Sequence, residues 1–184
     1  MKSFLGLCNW FSDHIRGHAE LAAPLNAMCH DYKRSNALVW TEEATAAFEN
    51  LKEAIHNCPK LYFMDDTSPI HVKTDASNYA IGAYLHQIRD GKEVPIAFIS
   101  KKLDATKARW DTRDKKGYAV YYALHRWEYL LRDRRFTIHT DNKNLVELKA
   151  SSKPRVVRWM VHMQQFDFNL VHIAGKDNEV ADSL

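Results

Sequence analysis

Ile70-His71-Val72-Lys73-Thr74-Asp75-Ala76-Ser77 opens the part of the chain from which the architecture is read. Ile70, Val72 and Thr74 are β-branched, and the segment they define is bounded by Pro69 and a polar cluster, the signature of a strand. Ile81–Ile88 and Val94–Ser100 read as two further strands, and Asp90-Gly91 between them is a hairpin turn signal. Beyond them the sequence predicts a long helix over Thr112–Leu131, a strand at Phe136–Thr140, a short helix at Asn142–Leu148, a helix at Pro154–Gln165 and a strand at Phe168–Ile173. A final helix, Asn178–Leu184, is cut short by the end of the sequence. Antiparallel strands followed by alternating helices and strands point to an α/β fold, a mixed five-stranded sheet with flanking helices.

Toward the N-terminus the rhythm changes. Pro59, Pro69 and the polar residues between them mark a boundary. Ahead of it lie three amphipathic segments. Phe4, Leu7, Cys8, Phe11 and Ile15 recur at helical spacing, and Ala19–Cys29 is interrupted at Pro24. In the third, Thr41 suits an N-cap, Glu42 and Glu43 suit the positive helix end, and Ala44, Ala47, Phe48, Leu51 and Ile55 form an apolar stripe. The expected organisation is a helical unit over 1–58, a connector over 59–68 and an α/β domain over 69–184.

The composition is that of a globular protein, with 46% hydrophobic and 27% charged residues, which argues against disorder. A net charge of +3 is compatible with nucleic acid without requiring it. The three cysteines, Cys8, Cys29 and Cys58, are far apart and form no CxxC pair. They read as free thiols in a reducing compartment, with neither a disulfide framework nor a zinc site. There is no apolar run of spanning length and no secretory leader, so an intracellular protein, cytoplasmic or nuclear, is expected.

Carboxylates carry the candidate chemistry. Phosphodiester hydrolysis at neutral pH is hard without metals, and two Mg²⁺ ions about 4 Å apart can activate water and stabilise the leaving oxygen. Mg²⁺ prefers carboxylate oxygens, so acidic residues at the ends of several elements are what such a site requires. Asp75 and Asp141 each end a predicted strand in Thr-Asp, and Asp182 lies on the terminal helix. An Asp at a strand end also serves simply as a turn former or cap, so these three residues alone do not decide the chemistry.

Longer motifs add to this. Thr74-Asp75-Ala76-Ser77 precedes Ile81-Gly82-Ala83-Tyr84-Leu85-His86-Gln87; Ser100-Lys101-Lys102-Leu103 precedes Trp110-Asp111-Thr112. Phe136-Thr137-Ile138-His139-Thr140-Asp141-Asn142-Lys143-Asn144-Leu145 follows, and the chain ends His172-Ile173-Ala174-Gly175-Lys176-Asp177-Asn178-Glu179-Val180-Ala181-Asp182-Ser183-Leu184. In order and spacing these resemble the ribonuclease H domain of gypsy-class LTR retrotransposon Pol polyproteins. Phe4-Leu5-Gly6-Leu7, Ala23-Pro24-Leu25, Trp40-Thr41-Glu42-Glu43 and Ala47–Lys52 resemble the end of the polymerase thumb in the same polyproteins. The resemblance covers nearly the whole chain and lacks the fingers and palm. It implies Mg²⁺- or Mn²⁺-dependent cleavage of RNA in RNA–DNA hybrids, with Asp75, Asp141 and Asp182 as catalytic and metal-binding aspartates. It also makes a polymerase domain a candidate protein partner.

One position departs from the family. Its fourth carboxylate is a Glu on the long helix, and here Lys115-Lys116-Gly117-Tyr118-Ala119 places Lys116 there. Lys116 lies one turn before Val120 on the helix's apolar stripe, so it is expected to point inward. Asp114 is about 200° around the helix from it and a poor substitute. An ammonium in place of a ligand implies weakened or lost hydrolysis, or a site reduced to one ion. A non-catalytic module that binds nucleic acid or a protein is the alternative. Lys101, Lys102, Arg109, Arg113, Lys115, Arg155 and Arg158 are candidate phosphate contacts, although such charge runs are usually solvated faces. Tyr62-Phe63-Met64-Asp65-Asp66 resembles the paired aspartates of a polymerase palm but follows the thumb-like helices instead of preceding them. It reads instead as an acidic turn of the connector.

Overall fold

A computed structural model of the chain describes residues 1–35, 38–141 and 151–173. The N-terminal part is helical: α1 (Lys2–Trp10), a 3-10 turn at Ser12–His14, α2 (His18–Leu21), α3 (Ala23–Ser35) and α4 (Glu42–His56). The helix expected over Phe4–Ile15 therefore ends early. Ile15 is extended and 1% exposed. Gly17 follows with φ of 63°, a left-handed conformation that glycine adopts without a Cβ clash. Pro24 is the second residue of α3, where a missing N–H breaks no helical hydrogen bond. Thr41 caps α4, its side chain accepting from the Ala44 N–H at 3.1 Å. Leu5, Cys8, Leu25, Ala44, Ala47 and Leu51 pack into a small core of their own.

The sheet has five strands: β1 (Ile70–Ala76), β2 (Ala80–Arg89), β3 (Lys92–Lys102), β4 (Arg135–Thr140) and β5 (Asp167–His172). Their order is β3-β2-β1-β4-β5. β1 runs antiparallel to β2 and parallel to β4, and β4 runs parallel to β5, the mixed sheet expected. Asp90 (φ 52°) and Gly91 (φ 73°) make the hairpin turn, and two positive φ values match the right-handed twist of the strands they join. Pro95 sits on edge strand β3 beside a register shift at Leu85/His86, and its carbonyl accepts from the Tyr62 N–H at 2.9 Å. Edge strands are where a residue without an N–H is tolerated.

Among the described residues three α-helices follow β3 in the sequence: α5 (Thr112–Arg126), α6 (Glu128–Leu131) and α7 (Pro154–Met163). The single helix expected over Thr112–Leu131 is broken at Trp127, whose side chain is buried in the main core. That core joins Val72, Leu85 and Ile138 of the sheet to Val120, Leu124 and Leu131 of α5 and α6 and to Val156 and Trp159 of α7. Trp110, Tyr118 and Trp159 meet ring to ring between α5 and α7. The N-terminal helices join the sheet at β3: the Ala19 N–H donates to Ser100 Oγ at 3.1 Å, and the Arg16 guanidinium lies over the Phe98 ring. The expected helices at 142–148 and 178–184 lie outside the described residues. No helix among the described residues is long and apolar enough to cross a membrane.

Candidate functional site

The parallel pairing of β1 and β4 brings the two Thr-Asp ends together. Thr74 stands opposite Thr140, so Asp75, the penultimate residue of β1, and Asp141, the first residue after β4, lie side by side. The Lys116 ammonium, one turn into α5, reaches both. It bonds to Asp141 Oδ2 and lies 3.7 Å from Asp75 Oδ1. All three side chains are mostly buried, at 16% exposure for Lys116, 19% for Asp75 and 23% for Asp141. Asp141 Oδ1 is buried and has no hydrogen-bond partner among the described residues. The group is therefore a partly buried ion triad that retains one net negative charge. Asp182, the remaining aspartate of the motif, lies outside the described residues.

The residues beside Lys116 do other work. Asp114, 2% exposed, accepts from Lys153 at 2.8 Å and from Arg155, whose guanidinium also lies over the Trp110 ring. Asp111 caps α5 by accepting from the Asp114 N–H at 2.8 Å, and the Lys153 ammonium on it holds its carboxyl below the usual range. Lys115 is 4% exposed and donates to Asn78 Oδ1 at 3.0 Å, so its ammonium is engaged inside the fold. Of the other candidate phosphate contacts, Lys102, Arg109, Arg113 and Arg158 are exposed, and Lys101 lies over the Tyr122 ring. Spacing along α5 or α7 could not reveal the partners of Lys115 or Arg155, because each partner lies on a different element.

The Asp65-Asp66 pair is structural. Asp65 accepts from the backbone N–H groups of Thr67 and Ser68 and pairs with Arg89 at 2.8 Å. The Ser68 backbone and hydroxyl bonds, with those of Thr67, hold its carboxyl far below the ordinary range. Asp66 pairs with Arg134 at 2.6 Å. The pair therefore sits in an acidic turn.

The family described as the RNase H-like domain found in reverse transcriptase matches residues 65–166. The Transposon Tf2-3 and Tf2-4 polyproteins of Schizosaccharomyces pombe are each 31% identical to the chain over 191 residues, covering 100% of it. The chain spans 14% of the length of those relatives. Two solved structures of the foamy viral protease-reverse transcriptase share the fold. The one in complex with double-stranded DNA superposes with a TM-score of 0.77 at 21% identity, over 95% of this chain and 37% of that one. The one in complex with an RNA/DNA hybrid gives 0.77 at 20% identity, over 95% and 24%. The chain thus belongs to the family of ribonuclease H-like domains found in reverse transcriptases, and its likeness is to retrotransposon Pol polyproteins.

Proposed function

We propose that this chain is a nucleic-acid-binding ribonuclease H-like unit in which the Lys116 ammonium takes the place of metal, so that cleavage of RNA in RNA–DNA hybrids is weakened or lost. The observation that carries this reading is the Lys116 ion pair to Asp141 and its 3.7 Å approach to Asp75. The residues of this site do not fit a pair of divalent ions. Asp75 and Asp141 supply carboxylates, and the unpaired Asp141 Oδ1 is an available donor. However, the position that requires a third carboxylate carries a cation. An ammonium a few ångströms from a divalent ion repels it by several kcal/mol at an effective dielectric near 20. Asp182, if it joins the site, would add charge without removing that repulsion. In this reading Asp75, Lys116 and Asp141 hold the ends of β1, β4 and α5 together, and no proton or water is activated there. The domain division belongs to the same proposal: a thumb-like unit over 1–58, a connector over 59–68 and the ribonuclease H-like unit over 69–184.

Hybrid cleavage in Mg²⁺ and in Mn²⁺, with Lys116→Glu assayed beside the natural chain, tests the reading. The variant is expected to cleave at least about tenfold faster, the factor that 1.4 kcal/mol represents. Mg²⁺ is expected to raise the melting temperature of the variant and leave that of the natural chain unchanged. Equal cleavage by the two proteins would overturn the proposal.

A further inference from the structure

A second cluster of metal-ligating side chains lies at the other end of α5. His125 is in the last turn of that helix, Glu128 begins α6, and His162 is in the last turn of α7. One ligand atom from each lies within 4.8 Å of the other two. His125 is nine residues beyond Lys116, which at the rise of an α-helix separates the two sites by about 13 Å. We propose that His125, Glu128 and His162 form a zinc-binding site that ties α5 and α6 to α7, with water in the fourth position.

Several observations converge on this cluster. His162 Nε2 is buried and has no hydrogen-bond partner among the described residues. A buried, unpaired ring nitrogen is unfavourable unless something else engages it, and a metal ion does so. Aromatic rings pack around the imidazoles: Tyr121 stacks on His125 and meets His162 edge-on, and Phe166 also meets His162 edge-on. Burial pushes the His162 imidazole toward its neutral form, the form that ligates. Two imidazoles and one carboxylate are a borderline-soft donor set that suits Zn²⁺ and disfavours Mg²⁺, which prefers oxygen ligands alone. At bond lengths of about 2.0–2.2 Å, tetrahedral ligands stand about 3.4 Å apart, so the donors need to close by little more than about 1 Å. His125 is exposed, stacked on Tyr121 with its outer edge in solvent, and Glu128 exchanges its ion pair with the exposed Arg132 for the metal. The sequence hides the site because His162 follows His125 by a long intervening stretch and the fold alone joins them.

The test uses the full chain, stripped with a chelator, then titrated with Zn²⁺ and with Co²⁺ as a spectroscopic reporter, both in excess Mg²⁺. One equivalent is expected to bind, with the visible absorption of four-coordinate Co²⁺ and a Zn²⁺-dependent rise in melting temperature. His125→Ala, at an exposed position that leaves the core intact, and Glu128→Gln are each expected to weaken binding at least about tenfold. Cys29→Ser/Cys58→Ser is expected to bind as the natural chain does. Absence of binding, binding unchanged in His125→Ala, or loss confined to the cysteine variant would overturn the proposal.

Discussion

At the start of α5 three successive side chains take three different partners. Asp114 turns to Lys153 and Arg155 of α7 and the segment before it, Lys115 to Asn78 in the β1–β2 turn, and Lys116 to Asp75 and Asp141. The helical period separates neighbours by about 100°, so adjacent residues serve different surroundings. Asp114 is the most buried of these and is the anchor of the α5–α7 contact. Removing its carboxylate takes a partner from Arg155 and leaves Lys153 with Asp111 alone, and hydrogen bonds to charged groups contribute about 2 kcal/mol each. Asp114→Ala is expected to lower the unfolding free energy by about 2 kcal/mol in urea titration, with Asp114→Asn intermediate. A loss below about 0.5 kcal/mol, the usual effect of a surface substitution, would refute the anchor role. The inward direction of Lys116 was legible from the stripe formed with Val120, Ala123 and Leu124, which needs only the helical period. The burial of Lys115 was not, because Asn78 is 37 residues away and only the folded chain brings it near.

Elements differ in how openly they announce themselves. β1 and β4 were readable because apolar residues alternate along each up to a Thr-Asp pair, although β1 runs on to Ala76, and α4 because Thr41 caps an uninterrupted stripe. The break between α5 and α6 carries no Pro or Gly; it arises as Trp127 turns into the core, a tertiary effect. The sheet face away from α5 was equally hidden. There His71, His86 and His139, on three adjacent strands, stack with Tyr84, and His71 Nδ1 lies 2.9 Å from His139 Nε2. Lys73 and Glu93 flank them, the first adding to and the second opposing the effect of burial. Burial lowers all three imidazoles, His86 to about 3. The unfolded chain, with histidines near pH 6.5, therefore binds more protons than the native state below that pH. Stability contributed by the neutral ladder is complete above about pH 6.5 and lost as pH falls toward 3. Between about pH 6.5 and 4.5, before most carboxylates titrate, His86 alone is expected to cost about 2 kcal/mol. Urea midpoints across that range should decline for the natural chain and decline less steeply for His86→Gln. An unchanged slope in the variant would place the titration elsewhere.

At the scale of the whole molecule, charge decides what the fold can meet. Net charge is only +3, so attraction to a polyanion must come from where the cations stand. Lys153, Arg155 and Lys115 are spent on internal partners; Lys102, Arg109, Arg113 and Arg158 are exposed on β3, the segment before α5, α5 itself and α7, with Arg113 also near enough to Asp111 to help hold its carboxyl down. The ordered motifs made the sheet and its helices legible across this whole region. They did not foretell how the N-terminal helices dock on β3, since the Ala19–Ser100 bond joins residues 81 apart. If the four exposed cations each displace about one counterion from a hybrid, the logarithm of the binding constant falls with the logarithm of salt at a slope between about −3 and −4. Affinity for a labelled RNA–DNA hybrid, read by fluorescence anisotropy, is then expected to drop about a hundredfold between about 50 and 200 mM salt. Lys102→Ala/Arg109→Ala should flatten the slope by about 2, while Lys115→Met, whose ammonium already serves Asn78, should leave it unchanged. A slope near zero, or one that Lys115→Met flattens as much as the double variant does, would show that the exposed basic face is not what holds the phosphates.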